Sequence, residues 1–264
     1  MSNQINFIEN RIKEKKPVIH YYKMVVAGKK IEVECVYKRV FAVSRDYLAT
    51  FEKPDFIISV SCADIEKESA RRGHKPFGCD EIDGAVDEYL EIPVTFRKIA
   101  HRLIDENIVL LHGAAVAVDG QCFIFTGPSG IGKTTHIKNW LSRVPGAFVV
   151  NGDKPFVDPK NKIVFGSPWC GKEGMNTNIS VPLKGLISLE QGDHNRITRI
   201  DFSDILPVLL QQVYIPSEEH LALKVIRLIE LLKEVPCYNM ICNTEEESAL
   251  TAYQGLCDND GKTL

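Results

Sequence analysis

The chain has 264 residues, 44% of them hydrophobic and 25% charged, so it is long enough for one domain with insertions or two small ones and too apolar to stay disordered. Its 32 basic and 35 acidic side chains leave a net charge of −3, which excludes an electrostatic grip on nucleic acid or anionic lipid as its main business. No apolar run approaches the roughly 18 residues that cross a bilayer, and Met1–Lys16 is charged rather than a hydrophobic signal core; a cytoplasmic protein with no membrane partner is expected.

In chain order, residues 1–107 read as a mixed α+β region. Tyr21–Val26 and Ile31–Tyr37 flank the turn-like Ala27-Gly28-Lys29, and Phe56–Val60 is a short β-branched run. Ala70–Gly84, with Gly73, Pro76 and Gly78 among charges, reads as a loop, and Val94–Glu106 has helical spacing. Residues 108–264 form the second expected region. Ile108–Leu111, Ala114–Val118 and Cys122–Thr126 are strand-like, and Asp119-Gly120 signals a two-residue hairpin, because both turn positions favour positive φ. A helix over about Lys133–Val144 follows, then strands at Ala147–Val150, Lys162–Phe165 and Gly185–Leu189. The last third reads as helical: Asp201 or Ser203 caps a helix to about Val213, Ser217 caps another to about Glu234, and Thr244-x-x-Glu247 is a capping box. The eight cysteines form no C-x-x-C pair and sit mostly in apolar segments, so reduced thiols are expected.

Gly127-Pro128-Ser129-Gly130-Ile131-Gly132-Lys133-Thr134 is a complete G-x-x-x-x-G-K-[ST] match between an apolar strand and a helix. Its glycines let backbone N–H groups turn onto phosphates, and the helix N-terminus adds positive potential. Lys133 would reach the β- and γ-phosphates of ATP, Thr134 would offer its hydroxyl to Mg²⁺, and Thr135 completes the binding segment. About twenty residues on, the run Ala147–Val150 delivers Asp153, where a carboxylate beside the metal is expected. The alternative for Asp153 is a turn residue next to Gly152.

These residues carry a resemblance. Leu110-Leu111-His112-Gly113-Ala114-Ala115-Val116, the hairpin, the phosphate loop and Val150-Asn151-Gly152-Asp153-Lys154-Pro155 together resemble the HPr kinase/phosphorylase-like P-loop kinases, which share this architecture with phosphoenolpyruvate carboxykinase. The resemblance spans about Ile108–Glu190. It implies an α/β fold with a P-loop kinase core of that type; the mixed α+β N-terminal region and the helical C-terminal part rest on the patterning above, since residues 1–107 and the C-terminal third do not match that family. It also implies an active-site role for His112, a base role for Asp153 toward an acceptor hydroxyl, and magnesium binding by Glu173 together with Thr134. Where that family has Asp-Asp, this chain has Gly152-Asp153.

The implied activity is Mg-ATP-dependent transfer of the γ-phosphoryl group to a serine-type hydroxyl, with catalytic residues Asp153, His112 and Lys133. The partner is then a hydroxyl-bearing protein, peptide or small molecule; self-association into a homo-oligomer is left open. The alternatives are an ATPase or nucleotide-binding regulator without an acceptor, and a phosphoenolpyruvate-carboxykinase-like enzyme. The Gly-bounded loop Gly166–Gly174, with Trp169, Lys172 and Glu173, reads either as the acceptor side or as a structural loop whose Trp169 plugs the core. His136 reads as a packed or solvated helix residue, and Cys170 has no visible basic partner that would make it a nucleophile.

Overall fold

A computed structural model describes residues 19–73 and 84–258. Most of the loop expected over 70–84, with His74 and Cys79, lies outside the described residues, as does Met1–Lys16. The chain divides into two compact units. One holds Lys30–Arg97 and the described residues up to Met24; the other holds Val25–Lys29 and the described residues from Lys98 onward.

Strands β1 (His20–Val26), β2 (Lys29–Cys35) and β3 (Phe56–Ser59), which belong to the first unit apart from Val25, Val26 and Lys29, form a three-stranded sheet in that order. The turn between β1 and β2 has Ala27 and Gly28 at positive φ (51° and 74°). Strand β3 runs parallel to β2, and alternation puts Ile31, Val33 and Cys35 inside. Helices α1 (Arg39–Val43), α2 (Cys62–Arg71) and α3 (Gly84–Leu103) complete the elements that begin in this half. Helix α3 starts ten residues before the periodic stretch at Val94, because it continues through Pro93, a residue that usually ends a helix. The buried Glu91 of α3 accepts the N–H groups of Val36 and Tyr37 at 2.6 and 2.9 Å. Burial, partly offset by those bonds, pushes its pKa up to about 7. Cys62 is disulfide-bonded, which corrects the expectation of reduced thiols at that position; folding rather than chain spacing brings disulfide partners together. Cys35, Cys122, Cys170, Cys237, Cys242 and Cys257 are not disulfide-bonded.

The second unit is a three-layer α/β arrangement. Its strands are β4 (Val109–Leu110), β5 (Gly113–Val118), β6 (Gln121–Thr126), β7 (Phe148–Asn151), β8 (Phe156–Asp158), β9 (Ile163–Phe165), β10 (Ser180–Gln191), β11 (Arg196–Ile200) and β12 (Cys237–Cys242). Among the described residues these make one nine-stranded mixed sheet, ordered β4-β8-β9-β10-β6-β5-β7, with β12 also on β10 and β11 on β12. Asp119 and Gly120 join β5 to β6 with φ of 51° and 73°, the positive pair that the dipeptide predicts.

Both faces of this sheet are buried, and successive residues serve opposite layers. Ala115, Ala117, Cys122, Ile124 and Leu186 face the layer of α5 (Phe202–Gln212) and α6 (Glu219–Glu230) through Ile205, Leu209, Val225 and Ile229. Val116, Phe123, Phe125 and Ile187 face α4 (Lys133–Arg143) and α7 (Glu247–Asp258) through Trp140, Ala249 and Ala252. The last third is therefore not wholly helical, as β11 and β12 lie within it. Cys237–Cys242 shows little alternation in polarity because β12 is largely buried between β10 and β11. Strands β6, β10 and β12 are mutually parallel, so their carboxyl ends share one edge of the sheet. No helix among the described residues is long and apolar enough to cross a membrane.

Candidate nucleotide and phosphoryl-transfer site

The phosphate-loop sequence leaves β6 at that edge and enters α4. Gly130 (φ 83°) and Gly132 (φ 107°) occupy left-handed backbone that L side chains rarely adopt. Gly132 is the N-cap of α4, so the N–H groups of Lys133, Thr134 and Thr135 belong to its first turn and lack intrahelical acceptors. Pro128, Ser129 and Gly130 are exposed, whereas Lys133 is buried. Its ammonium donates to the carbonyls of Gly127 and Pro128 at 2.8 and 3.0 Å. Burial lowers the pKa of Lys133, the charge of Asp153 opposes that shift, and Lys154 adds to it.

Asp153 and His112 come from neighbouring segments. The Gly113 N–H donates to the Asp153 carbonyl at 2.9 Å, which sets the strand carrying His112 beside the turn after β7. His112 Nε2 lies 3.3 Å from Asp153 Oδ1, and Lys154 Nζ lies 2.8 Å from Asp153 Oδ2. Burial raises the carboxyl pKa, but hydrogen bonds from His112 and Lys154 and their charges outweigh it and bring Asp153 down to about 2. His112 Nδ1 faces Gln212 Oε1 at 2.7 Å. If that amide oxygen accepts from Nδ1–H, Nε2 needs a second proton to donate to Asp153, giving an imidazolium. Turning the Gln212 amide round lets a neutral ring accept at Nδ1 and donate at Nε2. His112 donates to Asp153 in the states that carry a proton on Nε2.

Asn151 holds the turn. It is fully buried; its Oδ1 accepts the N–H groups of Asp153 and Lys154 at 2.9 and 2.6 Å. Its Nδ2 donates to the carbonyl and hydroxyl of Ser167 at 2.9 and 3.0 Å. The segment between β9 and β10 is thereby fixed against the end of β7. The Gly152 N–H donates to the Met175 carbonyl at 2.8 Å, and a Cβ on Gly152 would stand 3.2 Å from that oxygen. A side chain at this position would therefore press on the Met175 carbonyl. Gly171 packs on Asp153, since a Cβ there would lie 3.2 Å from the aspartate Cβ. Trp169 is half-buried, with Lys154 Nζ 5.3 Å from its ring centroid, so its surroundings are the site rather than the deep core.

The structure thus brings His112 and Asp153 together, with the charge of Asp153 acting on Lys133, and sets the Trp169 loop against them. Glu173 instead bonds Lys138 at 2.9 Å. Lys138 is one turn beyond Thr134 on the same face of α4, so Glu173 reaches the flank of that helix through an exposed ion pair. Among the described residues, no three His, Cys, Asp or Glu side chains cluster as a metal site. Burial raises the pKa of Cys170, with the Asp153 charge acting in the same direction against the Asn176 hydrogen bond, which disfavours a thiolate. His136 is packed: Trp140 Nε1–H donates to its Nε2 at 3.1 Å, and its ring lies 4.6 Å from that of Phe125.

Asn151 and Gln212 are site residues that the sequence reading missed. Asn151 stands beside Gly152-Asp153, where its side chain can bond the N–H two residues on, and that is a readable local signal. Gln212 is 100 residues from His112, and nothing local marks it. No protein-family model matches the chain, and no curated protein matches its sequence.

Proposed function

We propose that the chain is an ATP-dependent kinase that transfers the γ-phosphoryl group to a hydroxyl of a small protein, a peptide or a small molecule. The observation that carries this reading is the meeting at one sheet edge of a phosphate-loop lysine and the Asp153–His112 pair. Transfer of a phosphoryl group asks the protein mainly for positioning and charge neutralisation. The loop and the first turn of α4 would hold the phosphates, and Lys133 would exchange its carbonyl partners for phosphate oxygens. Thr134 would hold a magnesium ion brought with the nucleotide, with Glu173 reaching over from Lys138, and the ion would serve to neutralise phosphate charge. Asp153, ionised down to about pH 2, would accept the hydroxyl proton while His112 and Lys154 fix its orientation. The Trp169 loop would receive the acceptor.

Gly152 favours one rival reading, an ATPase without an acceptor, because the second acid of the resembling family is replaced by the Met175 contact. Incubating the intact chain with γ-labelled Mg-ATP and hydroxyl-bearing proteins, peptides and metabolites separates the two. Label on an acceptor, lost in Asp153→Asn, is expected for the kinase. Free phosphate alone points to the ATPase, and neither product contradicts both.

A further inference from the structure

A cavity of about 330 Å³ opens beside the phosphate loop, away from Asp153. The sheet order fixes its side: β5 and β7 flank β6 toward Asp153, whereas the cavity lies at the carboxyl ends of β10 and β12, beyond β6 in the other direction. Gly132, Thr135 and His136 line it from the loop and α4, and Gln191, Asn243 and Thr244 from the two strand ends. A nucleotide with its γ-phosphate toward Asp153 and its phosphate chain on the loop would direct its nucleoside to this side. Crevices at the carboxyl ends of parallel strands are where open α/β sheets bind ligands.

The chemistry of the walls suits a flat, uncharged heterocycle. No Asp, Glu, Lys or Arg lines the cavity. His136 accepts the indole N–H of Trp140 at its Nε2, which leaves that nitrogen without a proton. The rim is pre-set. Asn243 Oδ1 accepts the Glu245 N–H, and the Asn243 N–H donates to Asn195 Oδ1, both at 3.1 Å. Behind it, Asn139 Nδ2 binds the carbonyls of Thr244 and Glu245 at 3.2 and 2.9 Å. An amide can read the hydrogen-bonding edge of a purine, and the volume is of the size that accepts small ligands.

We propose that this cavity receives the purine base of the nucleotide whose phosphates lie on Gly127–Thr134, with Asn243 reading its edge. The inference rests on the phosphate-loop reading, so the test uses two probes, Mg-ATP and magnesium tripolyphosphate, the second lacking a nucleoside. Calorimetric titration of the full chain should show ATP binding weakened about tenfold or more by Asn243→Ala and by the cavity-filling Thr244→Trp. Tripolyphosphate binding should stay within about twofold in both variants. Two variants guard against one that misfolds, and melting temperatures check each. Equal weakening of both probes in folded variants, or no change in ATP binding, overturns the proposal. A wild-type chain that binds neither probe, or tripolyphosphate binding unaffected by Lys133→Ala, overturns the phosphate-loop reading itself.

Discussion

Two roles can be separated at Asp153, the proton acceptance proposed for it and the geometry of its turn. A positioned base contributes about 10²–10⁴-fold, so Asp153→Asn should lower turnover by that order while ATP still binds; turnover within about threefold of wild type in a folded variant would remove the base assignment. The bond from Lys154 at 2.8 Å helps hold the carboxyl at about 2 against burial. Lys154→Met should therefore raise the Asp153 pKa, a shift that carbon-13 NMR of the carboxyl would follow, and an unchanged titration would show that Lys154 does not act on it. The sign follows by linkage: with a folded value below the ordinary 3.8, the group stabilises the fold above about pH 3.8, and that contribution is lost as pH falls through about 2. At this scale the sequence was legible where the signal was local. Gly127, Gly130 and Gly132 of the phosphate-loop sequence take the positive φ that their glycines permit, whereas Asn151, next to the turn it closes, gave a local signal that went unused. Gln212 was illegible because only the tertiary fold brings the end of α5 to His112.

Two elements can be tested in their own right. The loop from Gly166 to Gly174 is tied down by Asn151 and Ser167, and removing the buried amide leaves polar partners unsatisfied. Asn151→Ala should cost on the order of 2–3 kcal/mol in denaturant unfolding; a change below about 0.5 kcal/mol would mean that the loop is held by other contacts. If the anchored loop receives the acceptor, Trp169→Ala should raise the acceptor KM with little change in ATP affinity. Unchanged kinetics with a markedly lower melting temperature would mark Trp169 as a packing residue. Helices α4 and α7 supply a pH-dependent contact. Burial depresses the His136 pKa to about 4 from 6.5, so the unfolded chain binds a proton that the folded one does not. The associated stability is complete above about pH 6.5 and drains as pH falls toward 4, on the order of 3 kcal/mol in all. Unfolding midpoints at pH 7 and 5 should diverge less in His136→Asn than in wild type; the same divergence would exclude His136 as the source. The strand β12 escaped the sequence reading for a related reason: burial between β10 and β11 removed the polar alternation that marks a strand with one wet face.

For the whole molecule, the order of strands matters more than any one motif. Parallel pairing of β6, β10 and β12 gathers the phosphate loop and the cavity at one edge. Antiparallel pairing of β5 with β6 and β7 brings His112 and Asp153 to the same end from the other side. The hairpin at Asp119-Gly120 announced the first of these antiparallel pairs, but no local pattern announces a parallel pairing such as that of Leu186 with Cys237. Everything proposed for the site depends on Gly127–Thr134 binding nucleotide phosphates. The most direct measurement is therefore calorimetric titration of the intact chain with Mg-ATP, beside Lys133→Ala. Saturable binding that weakens at least about tenfold in the variant, with its melting temperature unchanged, is the expected result. No binding by the wild type, or equal affinity in the two proteins, would contradict it.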